Sequence, residues 1–283
     1  MTGGLLPPGP VVKICGLTRL EDVLLARDLG AWALGFVFAP SPRRLTPAAA
    51  RGLIRGATRA PSAAPGDVPG NAPGDVRPDG SGPHPPLAVG VFVDASIGEL
   101  ARVVAEVGLD GVQLHGPAGP GGDEVRAAVG DRDRRLLIIQ AIPVDPDEID
   151  AGALGTAIAE ARREADVVLL DTRTSGQFGG TGTAFPWEVA RELGDELPLL
   201  VAGGIGPENV HAALRQSGAW GVDVSSGVER SPGIKDPATM RRLFVKAGAT
   251  RHPAADGPVL AVPGATRHPA AAGTDERQEG SDR

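Results

Sequence analysis

Along most of the chain, short apolar runs alternate with longer stretches in which apolar positions recur every three to four residues, and that alternation predicts parallel βαβ units. Strands are predicted at 11–15 (VVKIC), 33–38 (ALGFVF), 88–93 (AVGVFV), 111–115 (GVQLH), 135–142 (RLLIIQAI), 167–171 (VVLLD), 198–203 (PLLVAG) and 221–225 (GVDVS). Helical patterns fall between them at about 20–29, 47–57, 96–107, 123–129, 147–164, 187–194, 207–217 and 237–247, several opened by capping or turn signals such as "TP", "DAS" and "GPEN". Eight such units predict a single-domain (β/α)8 TIM barrel over residues 11–247. An open doubly wound sheet is the alternative. It calls for a Gly-rich nucleotide loop after the first strand, and "CGLTRLED" is not one.

Two stretches break the alternation. Residues 58–86 are rich in Pro and Gly and repeat "APGDV", so they offer too little apolar surface to offset the entropy of ordering and are expected to form a disordered insertion. Residues 248–283 repeat "GATRHPAA" and end in a polar run, which predicts a disordered tail carrying His252 and His268. The remaining length, roughly 220 residues, is within the range of an eight-fold barrel.

Charge and composition narrow the partners. A formal net charge of -7 with 3% aromatic residues and no tyrosine leaves neither a basic stripe for phosphates nor a stacking platform, so a nucleic-acid partner is not expected. There is no apolar run of about 18 residues and the N-terminus lacks a secretory pattern, so neither a membrane nor export is expected, and the protein reads as cytoplasmic. The oligomeric state stays open. A single cysteine, Cys15, excludes an internal disulfide and a thiolate metal cluster.

In a barrel of this kind the active site lies at the C-terminal ends of the strands. The residues closing the predicted strands are Cys15, Phe38, Asp94, His115, Pro143, Asp171, Gly203 with Gly204, and Ser225 with Ser226. Cys15 and Asp171 are the pair best suited to moving protons, although a lone strand-end cysteine can also be mere packing. Glycines gather late in the chain, in "GGTG", "AGGIG" and "SSGVE". Small residues after the last strands let backbone N–H groups reach an anion, so Gly179, Gly180, Thr181, Gly182, Gly203, Gly204, Ser225, Ser226 and Gly227 are candidate phosphate binders and a phosphorylated small-molecule substrate is expected.

The segments "KICGLTRLEDVLLARDLGAWALGFVFAPSPRRLTPAAA", "VGVFVD", "GVQLHG", "LLDT" with "GGTGTAFPW", "LLVAGGIGPENV" and "GVDVSSGVERSPGIKD" together resemble the phosphoribosylanthranilate isomerase family of tryptophan biosynthesis, in the family's order and over about residues 11–247. The resemblance implies an Amadori rearrangement. N-(5-phosphoribosyl)anthranilate would become 1-(2-carboxyphenylamino)-1-deoxyribulose 5-phosphate with no metal or cofactor. It further implies Asp171 as the general acid that opens the ribose ring and Cys15 as the general base at C2. An arginine after the second strand would bind the anthranilate carboxylate; counting on from "GFVF" favours Arg44, with Arg43 as a solvated neighbour. The sequence departs from the family in "PAGPGGDE" after "QLHG", where a glutamate usually follows at once, and in the 58–86 insertion.

The two roles invert ordinary acidity, because reference values are about 3.9 for an aspartic acid and about 8.5 for a thiol. Burial would raise Asp171, and a nearby cation would lower Cys15. Lys13 lies two residues before Cys15 and so on the same face of the strand, which makes it the expected cation. Asp223 on the eighth strand is its expected partner, and Gln113 a further inward polar group; the trio reads equally as a satisfied structural layer. His115 is expected to line the mouth rather than bind metal, since it has no companion ligands. Other readings are a bifunctional relative, which would carry an aspartate in place of Cys15, a metal-dependent pentose-phosphate epimerase, and a non-catalytic binding protein.

Overall fold

The computed structural model describes residues 6, 7, 9–60, 85–130, 135–172, 187–192 and 198–248. Eight strands form a closed parallel barrel in sequential order: β1 (Val11–Ile14), β2 (Ala33–Val37), β3 (Leu87–Val93), β4 (Gly111–His115), β5 (Leu137–Val144), β6 (Val167–Thr172), β7 (Leu199–Ala202) and β8 (Gly221–Val224). Around them lie α1 (Leu20–Leu29), α2 (Pro47–Arg59), α3 (Ile97–Val107), α4 (Gly122–Val129), α5 (Ala151–Ala161), α6 (Glu188–Glu192), α7 (Val210–Ser217) and α8 (Pro237–Ala247). Among these described helices none is long and apolar enough to cross a membrane.

The sequence explains why these elements form. Each strand is apolar on both faces, as a parallel strand covered by helices requires. One face of the strands fills the barrel, where Val11, Ala33, Val89, Leu137, Ile139, Leu169 and Leu200 pack together. The other face meets the helices through Ile14, Phe36, Val112, Ile138, Val168 and Val222. Helix starts are set by short polar side chains: Thr46 Oγ1 accepts from Ala49 N–H, Ser96 Oγ from Glu99 N–H and Asp236 Oδ1 from Thr239 N–H. Pro47 and Pro237 occupy first-turn positions where a missing N–H costs nothing.

Several boundaries differ from the sequence expectation. Helix α2 runs to Arg59, so residues 58 and 59 belong to it rather than to the insertion; residues 61–84 and 249–283, which hold most of the predicted insertion and nearly all of the predicted tail, lie outside the described residues. Strand β5 begins at Leu137 and runs through Pro143 to Val144, two residues later than expected. Helix α5 starts at Ala151 because Asp150 accepts from the N–H groups of Gly152 and Ala153. Two further strands, β9 (Glu229–Ser231) and β10 (Ile234–Lys235), form an antiparallel hairpin after β8 that the periodicity does not predict.

The seam between β1 and β8 closes the ring, with Lys13 directly opposite Asp223 in the register. Lys13 is fully buried, and its Nζ donates to Asp223 Oδ2 at 2.9 Å. Removing one partner of a buried ion pair strands the other charge, at about 3–5 kcal/mol. Asp223→Ala is therefore expected to lower unfolding free energy by about 3–5 kcal/mol in urea titrations, and a loss under about 1 kcal/mol would contradict this role for the pair.

Candidate active site

The side chains that face into the barrel near the C-terminal strand ends form one cluster. Counting from the Lys13–Asp223 pair, the next inward residues on the two closing strands are Cys15 and Ser225. On the other flank Lys13 is in register with Ala33, so Cys15 meets Gly35. A Cβ on Gly35 would lie 2.9 Å from Cys15 Sγ and 3.0 Å from its Cα. Glycine at this position makes the space that the thiol fills, a role that an apolar run such as "ALGFVF" conceals.

Asp171 stands near the end of β6, with β7 and β8 between it and β1. Burial pushes its carboxyl up to about 7, assisted by the neighbouring Asp223 carboxylate and opposed by Lys13. His115, at the end of β4, is held down to about 4 by burial and by the Lys13 charge, so it is neutral at pH 7. Its Nε2 meets Gln113 Nε2, which as assigned makes the ring nitrogen the acceptor. Gln113 Oε1 and Asp223 Oδ1 are buried without a hydrogen-bond partner among the described residues.

The thiol departs from expectation. Burial is the strongest influence on Cys15 and raises it above the ordinary thiol range; Lys13 and Lys235 pull it down, and Asp223 pushes it up. Lys13 therefore acts in the expected sense and loses to desolvation. The lysine itself is raised, because the Asp223 carboxylate offsets its own burial.

The two arginines differ from expectation in their exposure. Arg44 is exposed, its backbone bridged to Val37 of β2 and its N–H donated to the Ser41 carbonyl. Arg43 is the one turned inward. Its side chain is only 13% exposed and donates Nε and Nη2 to the two oxygens of Glu229 at 2.8 and 2.7 Å. A Cβ on Gly16 would meet Arg43 Cδ at 2.4 Å and Ser225 Oγ at 3.0 Å, which places the guanidinium stem between the loops after β1 and β8.

The loops after β7 and β8 lock together. Gly203 and Gly204 have φ of 89° and 65°, in the region that favours glycine, and a Cβ on Gly203 would sit 2.3 Å from Thr172 Cβ. Asn209 Oδ1 accepts from Gly206 N–H and its Nδ2 donates to the Gly204 carbonyl, so the "GPEN" signal shapes this loop as well as opening α7. Gly227, in the 3-10 turn Ser226–Val228, packs against the Ile205 carbonyl of the neighbouring loop. Gly179, Gly180, Thr181 and Gly182 lie outside the described residues. Sequence reasoning missed Gly35, Arg43, Asn209, Glu229 and Lys235; of these, only the Pro232–Gly233 turn in "ERSPGIKD" could have announced the last two, by marking a hairpin.

Among the described residues no group of His, Cys, Asp and Glu could hold a metal ion. Fold and site together define a (β/α)8 barrel of the enzyme class, with a buried carboxyl group and a thiol near the C-terminal strand ends. Residues 80–247 match the model of the N-(5'-phosphoribosyl)anthranilate (PRA) isomerase family. The N-(5'-phosphoribosyl)anthranilate isomerase of Rubrobacter xylanophilus is 41% identical over 237 residues, 83% of this chain and 97% of that one. The crystal structure of the Thermus thermophilus phosphoribosyl anthranilate isomerase superposes with a TM-score of 0.61 at 34% identity, covering 85% of this chain and 99% of its own. A phosphoribosyl anthranilate isomerase in complex with reduced 1-(o-carboxyphenylamino)-1-deoxyribulose 5-phosphate superposes with a TM-score of 0.60 at 31% identity, covering 85% of this chain and all of its own. The chain belongs to the phosphoribosylanthranilate isomerase family.

Because Cys15 is the only thiol, alkylation by iodoacetamide reads it alone. The pH of half-maximal reactivity is expected above the ordinary thiol range of about 8.5, and higher again in Lys13→Met. A midpoint that Lys13→Met leaves in place would remove Lys13 from the account.

Proposed function

We propose that this barrel performs the isomerisation of N-(5-phosphoribosyl)anthranilate with Asp171 as general acid and Cys15 as general base. The observation that carries the assignment is the inverted acidity of Asp171, a carboxyl that keeps its proton up to about pH 7 and so can give it to the ribose ring oxygen. Ring opening leaves a cationic iminium at C1. That positive charge acidifies the C2 proton and lets the buried thiol release its own proton to solvent, offsetting the burial that otherwise keeps it protonated and leaving a thiolate beside C2. Cys15 then takes the C2 proton to give the enolamine, which tautomerises to the ketose product.

The remaining groups fit the same substrate. Arg43, not Arg44, takes the anthranilate carboxylate, since its guanidinium is the one turned toward the thiol. Neutral His115 lines the opposite side, and the unpartnered Asp223 Oδ1 suits a ribosyl hydroxyl. The ribose phosphate lies on the interlocked loops after β7 and β8, through Gly203, Gly204, Ser225, Ser226 and Gly227, with Gly179, Gly180, Thr181 and Gly182 completing the cradle. A biosynthetic step of this kind belongs in the cytoplasm.

Turnover of phosphoribosylanthranilate generated in situ and followed by fluorescence tests the reading. Cys15→Ser and Asp171→Asn are each expected to lose about 10²–10⁴-fold in kcat, Arg43→Ala to raise KM while Arg44→Ala does not, and EDTA to change nothing. Full activity in either catalytic variant, or sensitivity to chelator, would overturn the roles.

A further inference from the structure

The hairpin β9–β10 carries a charge arrangement that the acid–base chemistry does not use. Lys235, on β10, is 1% exposed. Its Nζ donates to Glu229 Oε1 at 2.9 Å, to the Cys15 carbonyl at 2.6 Å and to the Ser225 carbonyl at 3.0 Å. Three acceptors match the three N–H donors of an ammonium; a neutral amine would have only two to offer. Its backbone N–H donates to Asp22 Oδ2 on α1, and Thr18 Oγ1 donates to the Gly233 carbonyl, so the hairpin is tied to the loop after β1.

Glu229, with a side chain only 5% exposed, is shared. Oε1 accepts from Arg43 Nε, Lys235 Nζ and Gly233 N–H, and Oε2 accepts from Arg43 Nη2. A bidentate arginine–carboxylate pair is neutral, and such an arginine has little attraction left for a second carboxylate. Here a second cation divides the same carboxylate, so the trio Arg43–Glu229–Lys235 carries one surplus positive charge in a largely buried place.

We propose that Lys235 is a positioning residue for substrate selectivity: by taking part of the Glu229 charge it keeps Arg43 available to the aryl carboxylate, while its bonds to the Cys15 and Ser225 carbonyls hold the ends of β1 and β8 against the same site. This rests on the assignment of Arg43 to the anthranilate carboxylate. Selectivity for an anionic ring substituent is then a property of three residues, one from the loop after β2 and two from the hairpin.

The experiment measures, by calorimetry, binding of the reduced product 1-(o-carboxyphenylamino)-1-deoxyribulose 5-phosphate and of its counterpart made from aniline, which lacks the carboxylate. Wild type is expected to prefer the carboxylated ligand by about 10- to 100-fold, the size of one charge-assisted hydrogen bond. Lys235→Met should cut that preference to about threefold or less, and Lys235→Met with Glu229→Gln should restore it, because the trio regains its surplus charge. Glu229→Gln alone should raise the preference above wild type, which gives a reading even where Lys235→Met does not fold. Equal weakening of both ligands in Lys235→Met, or an unchanged preference in Glu229→Gln, would overturn the proposal and leave Lys235 a structural clamp. No preference in wild type would instead overturn the assignment of Arg43, and the proposal with it.

Discussion

The structure depends on placing one ammonium inside the barrel. Lys13 is fully buried, and Asp223 stands opposite it on the strand that closes the ring. The pair does two things at once. It specifies the β1–β8 register, because a slip of one residue would turn Lys13 into the apolar layer between strands and helices. It also fixes a positive and a negative charge, in a medium that screens them poorly, below every group that has chemistry to do.

The consequences for those groups follow from which charge each one feels. Asp171 is raised by burial first and by Asp223 second, against Lys13. His115 is lowered by burial and by Lys13. Cys15 is held between Lys13 and Lys235 on one side and its own desolvation on the other, and desolvation wins. A thiol held neutral by burial is less open to adventitious alkylation or oxidation than a standing thiolate. Burial thus holds both the Asp171 carboxyl and the Cys15 thiol above their ordinary ranges.

Much of this was legible in the sequence, for physical reasons that differ by residue. The strands stood out because a parallel strand covered on both sides reads as an unbroken apolar run, and Lys13 stood out because it interrupts one. Its parity with Cys15 put both on the inner face, and the register with Asp223 followed from barrel closure. The inward turn of Arg43, expected to be solvated, escaped because counting along a loop gives no side-chain direction: the Ser41 carbonyl and the bridge to Val37 pin the Arg44 backbone and leave Arg43 to turn inward. The β9–β10 hairpin escaped because strands of three and two residues have no period to detect. The sign of the thiol shift escaped because desolvation is set by the whole surrounding shell, whereas the neighbouring lysine is visible in the local sequence.

Proton donation by Asp171 requires it to hold a proton that an ordinary aspartate would have lost. Infrared difference spectroscopy of wild type against Asp171→Asn isolates its protonated carboxyl stretch, which can be followed as pH is raised. The band is expected to persist through mildly acidic solution and to disappear with a midpoint near 7; a midpoint near the reference value of about 3.9 would rule out a proton held by burial.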